Sequence, residues 1–303
     1  MLEIGFESKV FEDETRKIDD AFQEACDWMK SLNVFPASNR YTEYQRQFRD
    51  LREGNGESIR ADGGLKFFSN ALGEATELIR IKNSFVGIDS QDYLVQLGKI
   101  SSGRPFKDFV SHDPGRDFAF ELSIASRFIS AGYEINLGTI ADAVVNIANR
   151  KLFVECKRVQ SEKKIGARLK EASEQVGRRV TASRSSKSRG LVAVKITEII
   201  NPDSQNIVLE NPQDFIDFSK DDLHSYIREN EIDFRRHISS KQLGVFFENS
   251  LNGLVRSADG LNIAPAFIAC RGAAVLCRSK LGFEDMSLLQ EFGNKLTTEM
   301  NIK

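Results

Sequence analysis

No apolar run in this chain approaches the ~20 residues that a membrane-spanning helix needs, which excludes a helical membrane protein. Prolines are few, six in 303 residues, and no low-complexity block or internal repeat is present, which argues against a disordered chain or a solenoid. Four cysteines are too few for a disulfide scaffold, and the opening residues, with Glu3, Glu7 and Lys9, lack the basic start and apolar stretch of a secretory leader. The expectation is a globular cytoplasmic protein with reduced thiols. Histidine is scarce too. His112, His224 and His237 show no paired ligand spacing with one another or with Cys26, Cys156, Cys270 and Cys277, so no zinc site is expected.

The net charge of −2 conceals an asymmetry. Residues 1–30 hold nine acids against four bases, whereas residues 157–189 hold eleven bases against Glu162, Glu171 and Glu174. The second segment is the candidate polyanion footprint, with Arg158, Lys163, Lys164, Arg168, Arg178 and Arg179 among its bases. Its plain alternative is a solvated helix followed by a Ser/Arg/Lys loop.

Apolar residues recur at helical spacing at Ile18, Phe22, Ala25, Met29 and Leu32, and again at Leu65, Phe68, Leu72, Ala75 and Leu78. Residues 1–105 therefore read as an all-helical N-terminal region, suited to regulation, partner binding or homo-oligomerisation. Gly54, Gly56, Gly63 and Gly64 fit neither a dinucleotide fingerprint nor a phosphate loop, and read as a plain connection. Pro105, His112, Asp113, Pro114 and Gly115 mark the boundary to a second region, 106–303. That region opens with a helix at 117–130 and strand-like runs at 133–137, 141–147 and 151–157. A helix at 165–180 and a β-rich run at 191–200 follow. The order implies an α/β fold with a mixed central sheet flanked by helices. In the last hundred residues a helix at 213–229, strand pieces at 245–248, 264–270 and 273–277, and a closing helix at 284–296 either extend the sheet or form a lid.

The informative stretch is Asp142 to Lys157. A two-residue loop at Ala148-Asn149 pairs Ile147 with Arg150 and places Asp142 opposite Glu155. Side chains alternate along a strand, so Lys157 shares the face of Glu155 while Val154 and Cys156 take the other. Two carboxylates ~5 Å apart repel by roughly 3 kcal/mol at an effective dielectric of ~20. A divalent cation such as Mg²⁺ removes that cost, because it takes oxygen from one or two carboxylates and keeps positions for water and phosphate. The bland alternative, two ion pairs on a solvated hairpin, sits poorly with Val144, Val145, Ile147, Leu152, Phe153 and Val154, which are apolar on both faces. A third acid, Glu121, lies on a helix that is apolar nearly all round, and needs either a metal beside Asp142 or an arginine such as Arg127 as a partner.

These residues resemble the PD-(D/E)xK nuclease superfamily, with its restriction-endonuclease-like fold. The pattern of a helical acid, an Asp in a strand, Glu-x-Lys in the next strand and then a helix is met in order by Glu121, Asp142, Glu155-Cys156-Lys157 and the 165–180 helix. Gln175 is a counterpart of the glutamine that some relatives carry on that helix, and Ala141 replaces the proline before the aspartate. The resemblance spans about 115–200. It implies a metal-dependent endonuclease in which Asp142, Glu155, Glu121 and the backbone carbonyl of Cys156 hold Mg²⁺, with Mn²⁺ able to substitute. Lys157 would orient or deprotonate the attacking water, Gln175 would position it, and the basic helix would contact the nucleic-acid backbone, DNA being the first expectation. A restriction or phage-defence setting would suit such a nuclease. An RNA-cleaving member, or a non-catalytic nucleic-acid-binding or assembly subunit of the same fold, is the alternative.

Overall fold

A hairpin that is apolar on both faces belongs inside a sheet covered by helices on both sides. The computed structural model describes residues 3–12, 15–53, 55, 64–88, 90–106, 113–138, 141–147, 149–202, 207–255 and 266–298. Gly54, Gly56, Gly63, His112, Ala148 and the start of the 264–270 strand lie outside the described residues. In chain order the elements are β1 (Glu3–Glu12), α1 (Thr15–Ser31), α2 (Arg40–Arg52), α3 (Gly64–Phe85), α4 (Leu94–Ile100), α5 (Pro114–Ser130), β2 (Glu134–Asn136), β3 (Ala143–Ile147) and β4 (Arg150–Arg158). They continue with α6 (Glu162–Ala182), β5 (Arg189–Lys195), α7 (Thr197–Ile200), β6 (Ile207–Leu209), α8 (Pro212–Glu229), α9 (Glu231–Arg235), β7 (Gln242–Val255), β8 (Ala266–Cys277) and α10 (Phe283–Thr298).

The strands form one mixed sheet in the order β1, β8, β7, β5, β4, β3, β2, with β6 paired to one end of β7. Strands β4, β5 and β7 run parallel, while β2, β3 and β4 form an antiparallel meander and β8 runs antiparallel to both β7 and β1. In the hairpin Ile147 stands opposite Arg150 and Val145 opposite Leu152, the register that the short loop predicts. Asn149 takes φ 61° there, a left-handed conformation that asparagine tolerates better than most residues. The C-terminal strand pieces join the sheet as β7 and β8.

One sheet face, with Val145, Leu152, Val154 and Cys156, packs in a continuous core with α1 to α5 and α10. The other, with Val144, Phe153, Val192, Val194 and Phe247, packs against Ile165, Leu169 and Val176 of α6, Leu223 of α8 and Phe234 of α9. The N-terminal region departs from the all-helical expectation, because residues 3–12 form β1 and pair along β8 from Glu3↔Leu276 to Glu12↔Ile268. Ile4, Phe6 and Val10 sit at period two among charged neighbours, a strand signal that the stronger helical pattern after Thr15 overshadows.

Helix α5 starts where it does because Asp113 caps it, its carboxylate accepting the Arg116 N–H at 3.1 Å, with Pro114 in the first turn. Phe120, Leu122, Ile124 and Phe128 are buried from that helix. Each such side chain contributes roughly 1.5–3 kcal/mol, so apolar burial rather than Glu121 fixes the orientation of α5.

Candidate active site

Strand β4 runs on to Arg158 after its ladder with β3 ends at Ala143↔Val154, and a cleft of about 870 Å³, open solvent at its mouth included, lies at that step. It is lined by Asp117 and Glu121 of α5, by Asp142, by Cys156 to Arg158 of β4, and by Lys164 and Arg168 of α6. Asp142 precedes β3, so it is not a ladder partner of Glu155. Instead its Oδ2 accepts the backbone N–H of Cys156 at 2.7 Å, which fixes the carboxylate against β4.

The alternation along β4 puts Glu155 and Lys157 on the α6 side and Val154 and Cys156 in the α5 side core. Helix α5 therefore covers the face opposite to Glu155 and Lys157. The reason is that Leu152, Val154 and Cys156 also need a cover, and α5 supplies it. Glu121 reaches the acids at the sheet's end rather than across its face.

Burial, followed by the charges of Asp142 and Asp117, pushes the Glu121 carboxyl up to about 8, with Lys157 and Lys99 opposing. Asp142 is also raised by burial, although the Cys156 N–H, Lys157 and Arg179 pull the other way. Glu121 has no arginine partner in Arg127, whose Nε instead donates to Glu248 at 2.9 Å. Two carboxylates that resist ionisation thus line one cleft.

Glu155 is buried and held from two sides. Lys157 Nζ donates to its Oε1 at 3.1 Å, and Arg179 pairs with its Oε2. Glu155 is thus an anion between two cations. Among the described residues no group of three or more His, Cys, Asp or Glu side chains is gathered closely enough to hold a metal ion. The donors that remain in the cleft, Glu121 and Asp142, are hard oxygens of the kind Mg²⁺ takes, and their mutual repulsion is what such an ion relieves. The Cys156 thiol is pushed far up by burial and by Asp142 and Glu121, which keeps it protonated. Gln175 Oε1 is buried on α6 without a hydrogen-bond partner.

The basic residues divide. Lys163, Lys164, Arg168 and Arg178 are exposed on α6, Arg168 within reach of Glu171 at 2.9 Å. Arg158 is buried and paired with Glu198 at 2.9 Å and Asp117 at 3.3 Å, which removes it from the exposed face. Arg179 belongs to Glu155. It stands one turn beyond Gln175 on the same face of α6, since residues four apart are neighbours on a helix.

No family model matches the chain, and no curated protein or solved structure matches it.

Proposed function

We propose that this chain is a metal-dependent nuclease, a DNA endonuclease in the first instance, built on a restriction-endonuclease-like core. The observation that carries the reading is the meeting of Glu121, Asp142 and Lys157 in one cleft, with Glu155 bonded to that lysine. The run from α5 through β2, β3, β4 and α6 presents these residues in the helix, strand, strand, helix order of the PD-(D/E)xK pattern.

Glu121 and Asp142 would hold Mg²⁺ or Mn²⁺, together with the backbone carbonyl of Cys156. When bound, the cation supplies a nucleophilic hydroxide and neutralises charge developing on the phosphate. Lys157, half-buried, places its ammonium in the cleft, where it orients water and meets developing negative charge. Glu155 holds Lys157 in position, while Gln175 Oε1 stays buried on α6, outside the cleft lining. The α6 cations Lys163, Lys164, Arg168 and Arg178 contact phosphates. Residues 1–105 take the regulatory, partner-binding or oligomerising role.

A second reading, a nucleic-acid-binding subunit without catalysis, is favoured by the engagement of Glu155 with two cations. Nicking of duplex DNA, single-stranded DNA and RNA with Mg²⁺ or Mn²⁺ decides between them. Cleavage that stops in chelator supports the nuclease, whereas binding without cleavage of any substrate supports the second reading.

Ion binding should release a proton. The Glu121 carboxyl, at about 8, keeps its proton at neutral pH and must lose it to ligate. Mg²⁺ affinity should rise by up to about tenfold per pH unit from pH 6 towards 8 and level off above. For the metal-free protein the sign is opposite. The folded state binds a proton that the unfolded state, with a carboxyl near 4.5, has lost, so this group lowers stability progressively as pH rises from about 4.5 to about 8. Glu121→Gln should flatten that dependence. Calorimetry in buffers of different ionisation enthalpy, and thermal melts in chelator, check the two halves.

Replacing Lys163, Lys164, Arg168 and Arg178 together by glutamine should weaken duplex binding and lower the slope of log affinity against log salt by roughly 3–4 units, at ~0.9 per phosphate contact. A titration series at several salt concentrations measures it. An unchanged slope places the footprint elsewhere.

A further inference from the structure

Arg158 borders both the cleft and a second, small and half-open crevice, which lies between α3, α5 and the ends of β4, β5 and β7. Three cations line this crevice and each already has a carboxylate. Arg116 Nε meets Glu74 at 2.5 Å, Arg158 Nε meets Glu198 at 2.9 Å, and Lys195 Nζ meets Glu77 at 2.9 Å. Burial alone would raise Glu74, but Arg116 and Arg40 hold it below its ordinary value. The crevice is electrically balanced, and a free phosphate entering it would have to break a pair to find a cation.

Its unused capacity is an amide. Asn70, on α3, is only 8% exposed, lines the crevice, and has a buried Nδ2 with no hydrogen-bond partner. An unmade bond at a buried donor costs about 1–3 kcal/mol, a cost that a ligand acceptor relieves. Opposite stands Asn252 of β7, whose Nδ2 donates to the Ser69 carbonyl at 3.0 Å. A Cβ at Gly73 would come within 2.5 Å of that Asn252 nitrogen, so a larger residue there would displace the Asn252 amide.

We infer that this crevice takes a nucleobase of the strand engaged in the neighbouring cleft, an inference that rests on the nucleic-acid reading of that cleft. A base is neutral, planar and carries acceptors on its edge for the Asn70 amide, which suits a balanced, hydrogen-bonding site where an anion does not fit. Because Arg158 belongs to both spaces, the base in the crevice and the phosphate in the cleft are close neighbours along one strand.

The test is abasic scanning of a fluorescent single-stranded oligonucleotide, bound by the full chain in chelator so that no cleavage is needed. One abasic position should weaken wild-type binding roughly tenfold, the scale of one base contact. Asn70→Ala should weaken binding of the intact oligonucleotide by a similar factor and lose no more at that position. Asn70→Asp keeps the size, removes the amide donor, and should behave likewise, with thermal melts confirming that both variants are folded. A scan with no outstanding position, an equal penalty in wild type and variants, or no binding by the wild type overturns the inference. Mg²⁺-dependent cleavage by the same samples reports separately on the nuclease. A positive scan without cleavage keeps the base site and removes the enzyme, whereas cleavage with a flat scan does the reverse.

Discussion

Asp142→Asn and Lys157→Ala should each lower Mg²⁺-dependent cleavage by about a thousandfold or more while the melting profile stays that of a folded protein. Metal holding and water activation act as a unit, so loss of either member removes most of the effect of both. Asp142 is the better anchored of the two cleft carboxylates, fixed by the Cys156 N–H at 2.7 Å, whereas Glu121 projects from a helix oriented by its apolar neighbours. Glu121→Gln should therefore weaken ion binding less than Asp142→Asn does. Single-turnover cleavage with and without chelator, beside ion titrations, measures both differences, and full activity in chelator would remove the mechanism altogether.

Glu248→Gln should destabilise the protein by about 3–5 kcal/mol, the usual penalty for removing one member of a buried ion pair. Glu248 is fully buried on β7, and Arg127 donates to it at 2.9 Å. Burial opposes its charge, but Arg127, Arg271 and Lys195 hold it below the ordinary carboxylate range. Arg271 is itself buried, with its charge disfavoured by burial and by Arg127. Removing the carboxylate would leave these arginines facing one another in the core. At roughly 2–4 °C per kcal/mol for a chain of this size or a little smaller, melting should fall by on the order of 10 °C. A denaturant midpoint within error of wild type would show that the cluster is not held by charge. Replacing Glu248, Arg127 and Arg271 together by leucine should recover much of the loss, because the desolvation cost disappears with the charges.

The hairpin and its flanking helices were legible from local pattern. Apolar runs with a turn between them set the strand register, and helical periodicity set α1, α3, α5, α6, α8 and α10. Glu121, Asp142 and Lys157 could be placed in one cleft because their spacing follows from those elements. What the pattern could not carry was long-range pairing. Nothing local in Glu3 to Glu12 names β8 as its partner, and nothing in Arg179 names Glu155, since both contacts depend on how distant elements pack. Arg158 misled for a related reason. As one base among eleven it reads as solvated, yet its strand position directs it to Glu198 and Asp117 beneath α5. The side of the sheet taken by α5 was likewise undetermined, because a strand that is apolar on both faces accepts a helix on either.

The pairing of β1 with β8 sets an order of events during synthesis. Residues 3–12 leave the ribosome more than two hundred residues ahead of their partner, Ala266–Cys277. Through that interval the N-terminal segment has no strand to join. Closing so long a loop is slow and comes late in folding. Until it closes, β8 is a bare sheet edge, with its N–H and C=O groups open to a second nascent chain. Aggregation yield, rather than final stability, is the property that this part of the fold governs.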